Sequence, residues 1–281
     1  MLLDDGLGIP EMLIPWDAHA SFCATVKRIV RVETEAEVNI QRAQKQFVSH
    51  FDLSLQKLLL GTFTRLASAH TIQRKTDVGD PYLISAFDIW LRGVDLALTT
   101  FAKRPDVIGF KSVVCYRTGL SVSLYEDREN MLQKFHELWT NYCRDPSKKI
   151  RLQHKSLNDH LVRMTLALCE THKKPLQFHC GMGDRDITLT TASPKHLQPL
   201  IEAYPESDII LLHSSYPYTQ EAGYLTAMYS NVFMDFGEVR HLCLLNALFS
   251  CLTTHRYSHT FRERVRRRYF DKSLNSVPQT K

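Results

Sequence analysis

From residue 109 onward the chain alternates short apolar runs with helical segments, and this alternation restricts the fold more than any other feature of the sequence. The apolar runs are residues 109–116 (GFKSVVCY), 176–179 (LQFH), 208–213 (DIILLH) and 232–236 (VFMDF). Each has strand length and strand composition. Between them lie helix signatures. Residues 126–142 carry a helical pattern. Ser156 and Asp159 have the form of a capping box, followed by Leu157, Leu161, Met164 and Leu168 at helical spacing. Ser193 and Pro194 mark an N-cap with proline at the first helical position, and Leu197, Leu200 and Ile201 form the apolar face behind them. Thr219 is read as the cap of a further helix reaching about Tyr229. Strands that alternate with helices through short connections form βαβ units, so the sheet is expected to be parallel. The near-continuous hydrophobicity of DIILLH suits a strand buried on both faces.

The first hundred residues are less regular. Residues 34–66 have a mostly helical pattern with a break near Phe51 and Asp52, and residues 94–103 read as the helix leading into the strand at Gly109. The chain's 281 residues are enough for one barrel domain, for which roughly 250 is typical. Its net charge of +5 is local, because residues 255–281 alone carry eight Lys and Arg against two carboxylates. The body is therefore close to neutral and gives no reason to expect nucleic acid or an anionic membrane as partner. The arginine run at residues 261–268 leaves only a polyanion-binding tail as a separate reading. The seven cysteines form no CxxC pair and several sit in apolar runs, which reads as reduced, buried thiols. The acidic start MLLDDGLGIPE lacks a basic n-region, and no apolar run approaches membrane-spanning length. A cytoplasmic location is expected.

Two strands end in histidine, at His179 and His213, each followed by small or turn-forming residues. In α/β barrels functional side chains project from the C-terminal ends of strands, and a neutral imidazole there is a good ligand for zinc or a similar divalent ion. A structural histidine capping a strand is the alternative. Lys111 lies inside an apolar strand, where a free ammonium is costly to bury; a carboxylate partner or a snorkelling stem is the plain alternative to a reactive amine. Arg117, just past that strand, has the chemistry to clamp a substrate carboxylate or to form an ordinary ion pair. Asp235 and Glu238 flank the end of the last strand, placed to orient a histidine or touch substrate.

The segments VKRIVRVETEAE, GFKSVVCYRTGL, LQFHCGMGDRD and LLHSSYPYTQEAGYLTAMYSNVFMDFGEV together resemble the amidohydrolase-related family, over residues 1 to about 240. The resemblance implies a TIM-like (β/α)8 barrel with one or two divalent metals, zinc foremost, at its C-terminal mouth. It also implies a metal-activated water attacking a small amide or carboxylated substrate. On this reading His179 and His213 match the strand-five and strand-six metal histidines. Lys111 occupies the strand-four position, where many members carry a carboxylated lysine, and Arg117, Tyr216 and Glu238 face the substrate. Two family features are not found: the His-x-His pair of the first strand and the aspartate of the last. Asp17 and His19 offer half of the former, but Ser21 stands where the second histidine belongs and Pro15 suits no central strand. His255 and His259 share a helical spacing, with nothing nearby to complete a shell. The barrel is therefore expected over residues 1–250, without its first and last strands, followed by a basic tail at 251–281. Exposed sheet edges would then offer a route to homo-oligomers. A metal-dependent hydrolase is the leading expectation, and a non-catalytic amidohydrolase-like scaffold or regulatory protein is the alternative.

Overall fold

The computed structural model describes residues 2–4, 16–21, 25–49 and 81–236. Among the described residues six parallel strands form one sheet: β1 (Leu2–Asp4), β2 (Lys27–Arg31), β3 (Val107–Ser112), β4 (Leu176–Phe178), β5 (Ile209–Leu211) and β6 (Val232–Met234). Their spatial order is their chain order, with no reversal anywhere in the sheet. A doubly wound sheet reverses at a switch point, whereas a sheet wound always in one direction is the barrel arrangement. The α/β, TIM-like reading of the sequence is thus the observed one.

Helices α1 (Val32–Ser49), α2 (Pro81–Lys103), α3 (Arg128–Arg144), α4 (Lys155–His172), α5 (Gln198–Ala203) and α6 (Thr219–Met228) connect or cover the strands. The burial pattern explains why α2 is long and stable. Leu83, Ala86, Phe87, Trp90, Val94, Leu98 and Ala102 recur every three or four residues and are all buried. Against them pack Ala36, Ile40 and Ala43 of α1, together with an aromatic cluster from α3. Phe135 of α3 lies with its ring centroid 5.3 Å from Phe87, 5.2 Å from Trp90 and 5.4 Å from Trp139. The Trp90 indole donates to the Ala36 carbonyl at 3.0 Å, so its one polar atom is satisfied inside the core.

Several local expectations are corrected. A strand at residues 2–4 pairs in parallel with β2, where no first strand was expected. Three residues are too few for period-two patterning to show. The strand read as 109–116 ends at Ser112 and passes into a 3-10 turn, Val114–Tyr116. The capping box is absent: α4 starts at Lys155 with His154 at its N-cap and no side-chain cap. Asp159 turns instead to the Ser123 amide at 2.9 Å and the Lys155 ammonium at 2.7 Å. A carboxylate with a charged donor and an amide from another loop has better partners than one lone helix N–H. Thr219 is the first residue of α6, with Tyr218 at the N-cap. The helix expected from residue 34 is seen as α1; the break near Phe51, and the segment read as a tail at 251–281, lie outside the described residues. The described cysteines are free, and burial pushes the Cys115 thiol up to about 12, in keeping with inert thiols. No helix among the described residues is long and apolar enough to cross a membrane.

Candidate active site

The C-terminal ends of β2 to β5 converge on a cavity of about 450 Å³. His179 follows β4 directly and His213 follows β5 by two residues. His213 Nε2 lies 3.1 Å from His179 Nδ1, and both residues are buried, at 8% and 6% exposure. One ring nitrogen must therefore donate and the other accept. His179 Nε2 is buried without a well-formed hydrogen bond. Burial, then the neighbouring His213, with Lys111 and Arg31 contributing less, push the His179 imidazolium down to about 3 against partial support from the Met182 backbone. A neutral imidazole is the form that coordinates a metal.

The backbone that delivers these rings is unusual. His213, Ser214 and Ser215 have positive φ of 60°, 49° and 53° in succession. Each such non-glycine residue costs on the order of 1–3 kcal/mol, and such clustering is typical of functional sites. Asp235 at the end of β6 holds the turn. Its carboxylate accepts from the His213 amide at 2.9 Å and its carbonyl from the Ser214 amide at 2.9 Å. On the other side the Leu212 amide donates to the Phe178 carbonyl at 3.0 Å. The Tyr216–Pro217 peptide bond is cis. Gly181 fits beneath this turn with φ +65°, and a Cβ there would stand 2.2 Å from the Tyr216 carbonyl oxygen.

Lys111 is not free: its ammonium donates to Asp4 Oδ2 at 2.7 Å, while Arg31 clamps the same carboxylate through Nε and Nη2 at 2.6 and 2.7 Å. Burial works to raise the Asp4 pKa, but the hydrogen bonds and charges of Arg31 and Lys111 outweigh it and hold the carboxyl below its usual range. Arg117 lines the cavity and pairs with Glu37 at 3.1 Å, its side chain only 4% exposed. Burial is the largest influence on both partners, lowering the pKa of Arg117 and raising that of Glu37. Glu33 is spent on structure, accepting from the Ser112 hydroxyl at 2.6 Å and the Val113 amide at 3.0 Å.

Of the residues singled out from sequence, Lys111, Arg117, His179 and His213 meet at one cavity. Tyr216 does not line it; it is 36% exposed and follows the turn at His213. Glu238, His255 and His259 lie outside the described residues, and His19 sits in a short 3-10 turn, Trp16–Ser21. Sequence reading passed over Arg31, Asp4 and Tyr116, whose ring centroid lies 4.2 Å from that of His179. Extending the strand-end rule to β2 would have found Arg31, which is in register with Lys111. Among the described residues no group of three or more His, Cys, Asp or Glu side chains is placed to hold a metal ion.

The depressed His179 fixes a pH dependence. With an unfolded value near 6.5 and a folded value of about 3, its stabilising contribution is complete above pH 6.5 and is lost as pH falls toward 3. At pH 5 the loss is about 2 kcal/mol, from 1.36 kcal/mol per pH unit. Urea unfolding at the two pH values checks this; a His179→Gln chain is expected to lack that part of the slope.

The amidohydrolase family profile matches residues 148–277, which extends past the last described residue. Protein fluG of Emericella nidulans is 51% identical over 252 residues, covering 85% of this chain and 25% of fluG. The chain thus spans about a quarter of the length of that relative. A solved structure of a protein assigned as a metal-dependent hydrolase, from Lactobacillus casei ATCC 334, matches with a TM-score of 0.59 at 24% identity. That match covers 94% of this chain and 55% of the bacterial one, and it supports the fold. The long match to fluG and the family profile over residues 148–277, which carry both histidines, make this chain similar to the amidohydrolase-related family.

Proposed function

We propose that the chain is a metal-dependent hydrolase of amidohydrolase type, acting on a small amide or carboxylated substrate. The observation that carries this reading is the pair of facing imidazoles, His179 Nδ1 and His213 Nε2, 3.1 Å apart at the wall of a cavity of substrate size. Both are imidazole nitrogens, donors that zinc and similar divalent ions take well. The pair therefore fits zinc or a similar divalent ion as a two-nitrogen ligand set. When bound, such an ion activates water toward a carbonyl or related carbon centre. The protein's own part is to keep His179 neutral, to hold His213 through Asp235, and to pack the tilted Tyr116 ring beside His179. Arg117, fixed by Glu37, shapes the adjoining wall where a substrate would lie. Tyr216 and Glu238 remain proposed substrate contacts, although Tyr216 does not itself line the cavity.

Elemental analysis of the purified chain, followed by a screen of small amides with metal restored and withheld, tests the proposal. About one divalent ion per chain and metal-dependent hydrolysis are expected. A second reading, a non-catalytic amidohydrolase-like scaffold, is favoured by the absence of a third His, Cys, Asp or Glu ligand among the described residues. Folded chain that takes up no zinc, manganese or iron would support that reading and defeat the first.

A further inference from the structure

Arg31 and Lys111 stand opposite one another in register on β2 and β3, and both line the cavity that holds the histidines. They share a single carboxylate. Asp4 takes two hydrogen bonds from Arg31 and one from Lys111, with side-chain exposures of 25% for Asp4 and 13% for each cation. The other two cations at the cavity each have a carboxylate partner: Arg117 pairs with Glu37 at 3.1 Å and Arg151 with Asp186 at 2.8 Å. Asp184 lies on an exposed loop at the rim. Glu33, the remaining nearby carboxyl, is engaged by Ser112 and Val113 and does not line the cavity. The Arg31–Lys111–Asp4 group by itself therefore carries one positive charge more than it carries negative, in a place where an uncompensated charge is costly.

We propose that this group is a carboxylate-binding site, in which an organic carboxylate of the substrate or product seats against Lys111 and Arg31 beside the histidine pair. Lys111 uses one of its three ammonium hydrogens on Asp4 and Arg31 uses Nε and Nη2, so both cations, which line the cavity, keep donors that Asp4 does not take. A carboxylate supplies the single negative charge and the planar pair of acceptors that such donors take best. The cavity of about 450 Å³ leaves room for a small molecule beyond that group. Lys111 thereby acts as a cation that orders the ligand. This deepens the hydrolase reading by naming a substrate class, but it does not depend on a metal.

Calorimetric titration of acetate, succinate and, separately, bicarbonate into the full chain after chelator treatment tests the site. Acetate or succinate should bind in the metal-free wild type. Affinity should fall at least about tenfold in Lys111→Met and be kept in Lys111→Arg, since a charged hydrogen bond is lost in one and retained in the other. In Asp4→Asn it should rise about tenfold, because the competing carboxylate is gone while both cations remain. No binding in either wild type or Asp4→Asn overturns the proposal, as does binding that Lys111→Met leaves unchanged. Bicarbonate uptake as a carboxylated Lys111, seen by native mass spectrometry, also overturns it. Carboxylate that binds only after zinc is restored, indifferent to Lys111, belongs to the metal; the site then fails and the hydrolase reading stands. Lys111-dependent binding by a chain that takes up no metal supports this site while the hydrolase reading fails.

Discussion

Replacing His179 or His213 by alanine is expected to lower the affinity of the chain for a divalent ion by at least about a hundredfold. Even outer-shell partners of metal ligands are worth 10–100-fold, and here each ring is half of the nitrogen pair. The two variants should lose metal alike, because the 3.1 Å approach of His179 Nδ1 to His213 Nε2 makes neither ring sufficient alone. Their responses to acid should differ. His179→Ala removes a buried imidazole whose neutral form is enforced by burial, so its chain should be less sensitive to acid than the parent. His213→Ala also relieves a residue at φ 60° of none of its backbone strain, since alanine tolerates that conformation no better. Metal content by elemental mass spectrometry after equilibration with zinc, alongside circular dichroism, reads both effects. Full metal retention in either variant would exclude the pair as the site.

Gly181→Ala is expected to destabilise the chain by about 3–5 kcal/mol, combining a left-handed backbone with overpacking, each worth about 1–3 kcal/mol. The added methyl would sit 2.2 Å from the Tyr216 carbonyl oxygen and 2.4 Å from that of Ser215, and neither is the tip of a flexible side chain. The turn carrying His213 would have to move away from β4, and with it the ring that faces His179. Thermal unfolding should therefore shift down, and zinc affinity should fall although no ligand has been changed. A variant with the parent's melting temperature and metal affinity would mean that the two loops are not packed as described.

Much of this was legible in the residues themselves. The βα alternation from residue 109 predicted the parallel sheet, and strands ending in His179 and His213 predicted a shared site, because strand ends in such folds face one mouth. What was hidden was non-local. Asp4 lies 107 residues from Lys111 in the chain, so no spacing rule could pair them, although a carboxylate partner was one of the readings open for that lysine. Arg117 and Glu37 belong to the same class. Ser156 and Asp159 misled for the opposite reason: a local motif was present, but Lys155 and the distant Ser123 amide held the carboxylate more strongly. The run of left-handed residues after Leu212 has no signature in a sequence that reads His-Ser-Ser, none of which is glycine.

The way the histidines are anchored has a consequence for how such a protein can change over generations. His179 donates its amide to Ser112 on β3, Leu212 donates to Phe178 on β4, and His213 is fixed by Asp235 beyond β6. All of these anchors are strand ends. From residues 182–208 only the Met182 backbone touches the pair, and Gly183 must stay small beside Tyr116, whereas the side chains of Met182, Asp184 and Asp186 from that stretch form one wall of the cavity. Substitutions in that wall can therefore accumulate, altering which molecule is admitted, while the pair of imidazoles is inherited unchanged. On the hydrolase reading proposed above, descendants of this chain would diverge first in what they accept and only much later in how they act on it.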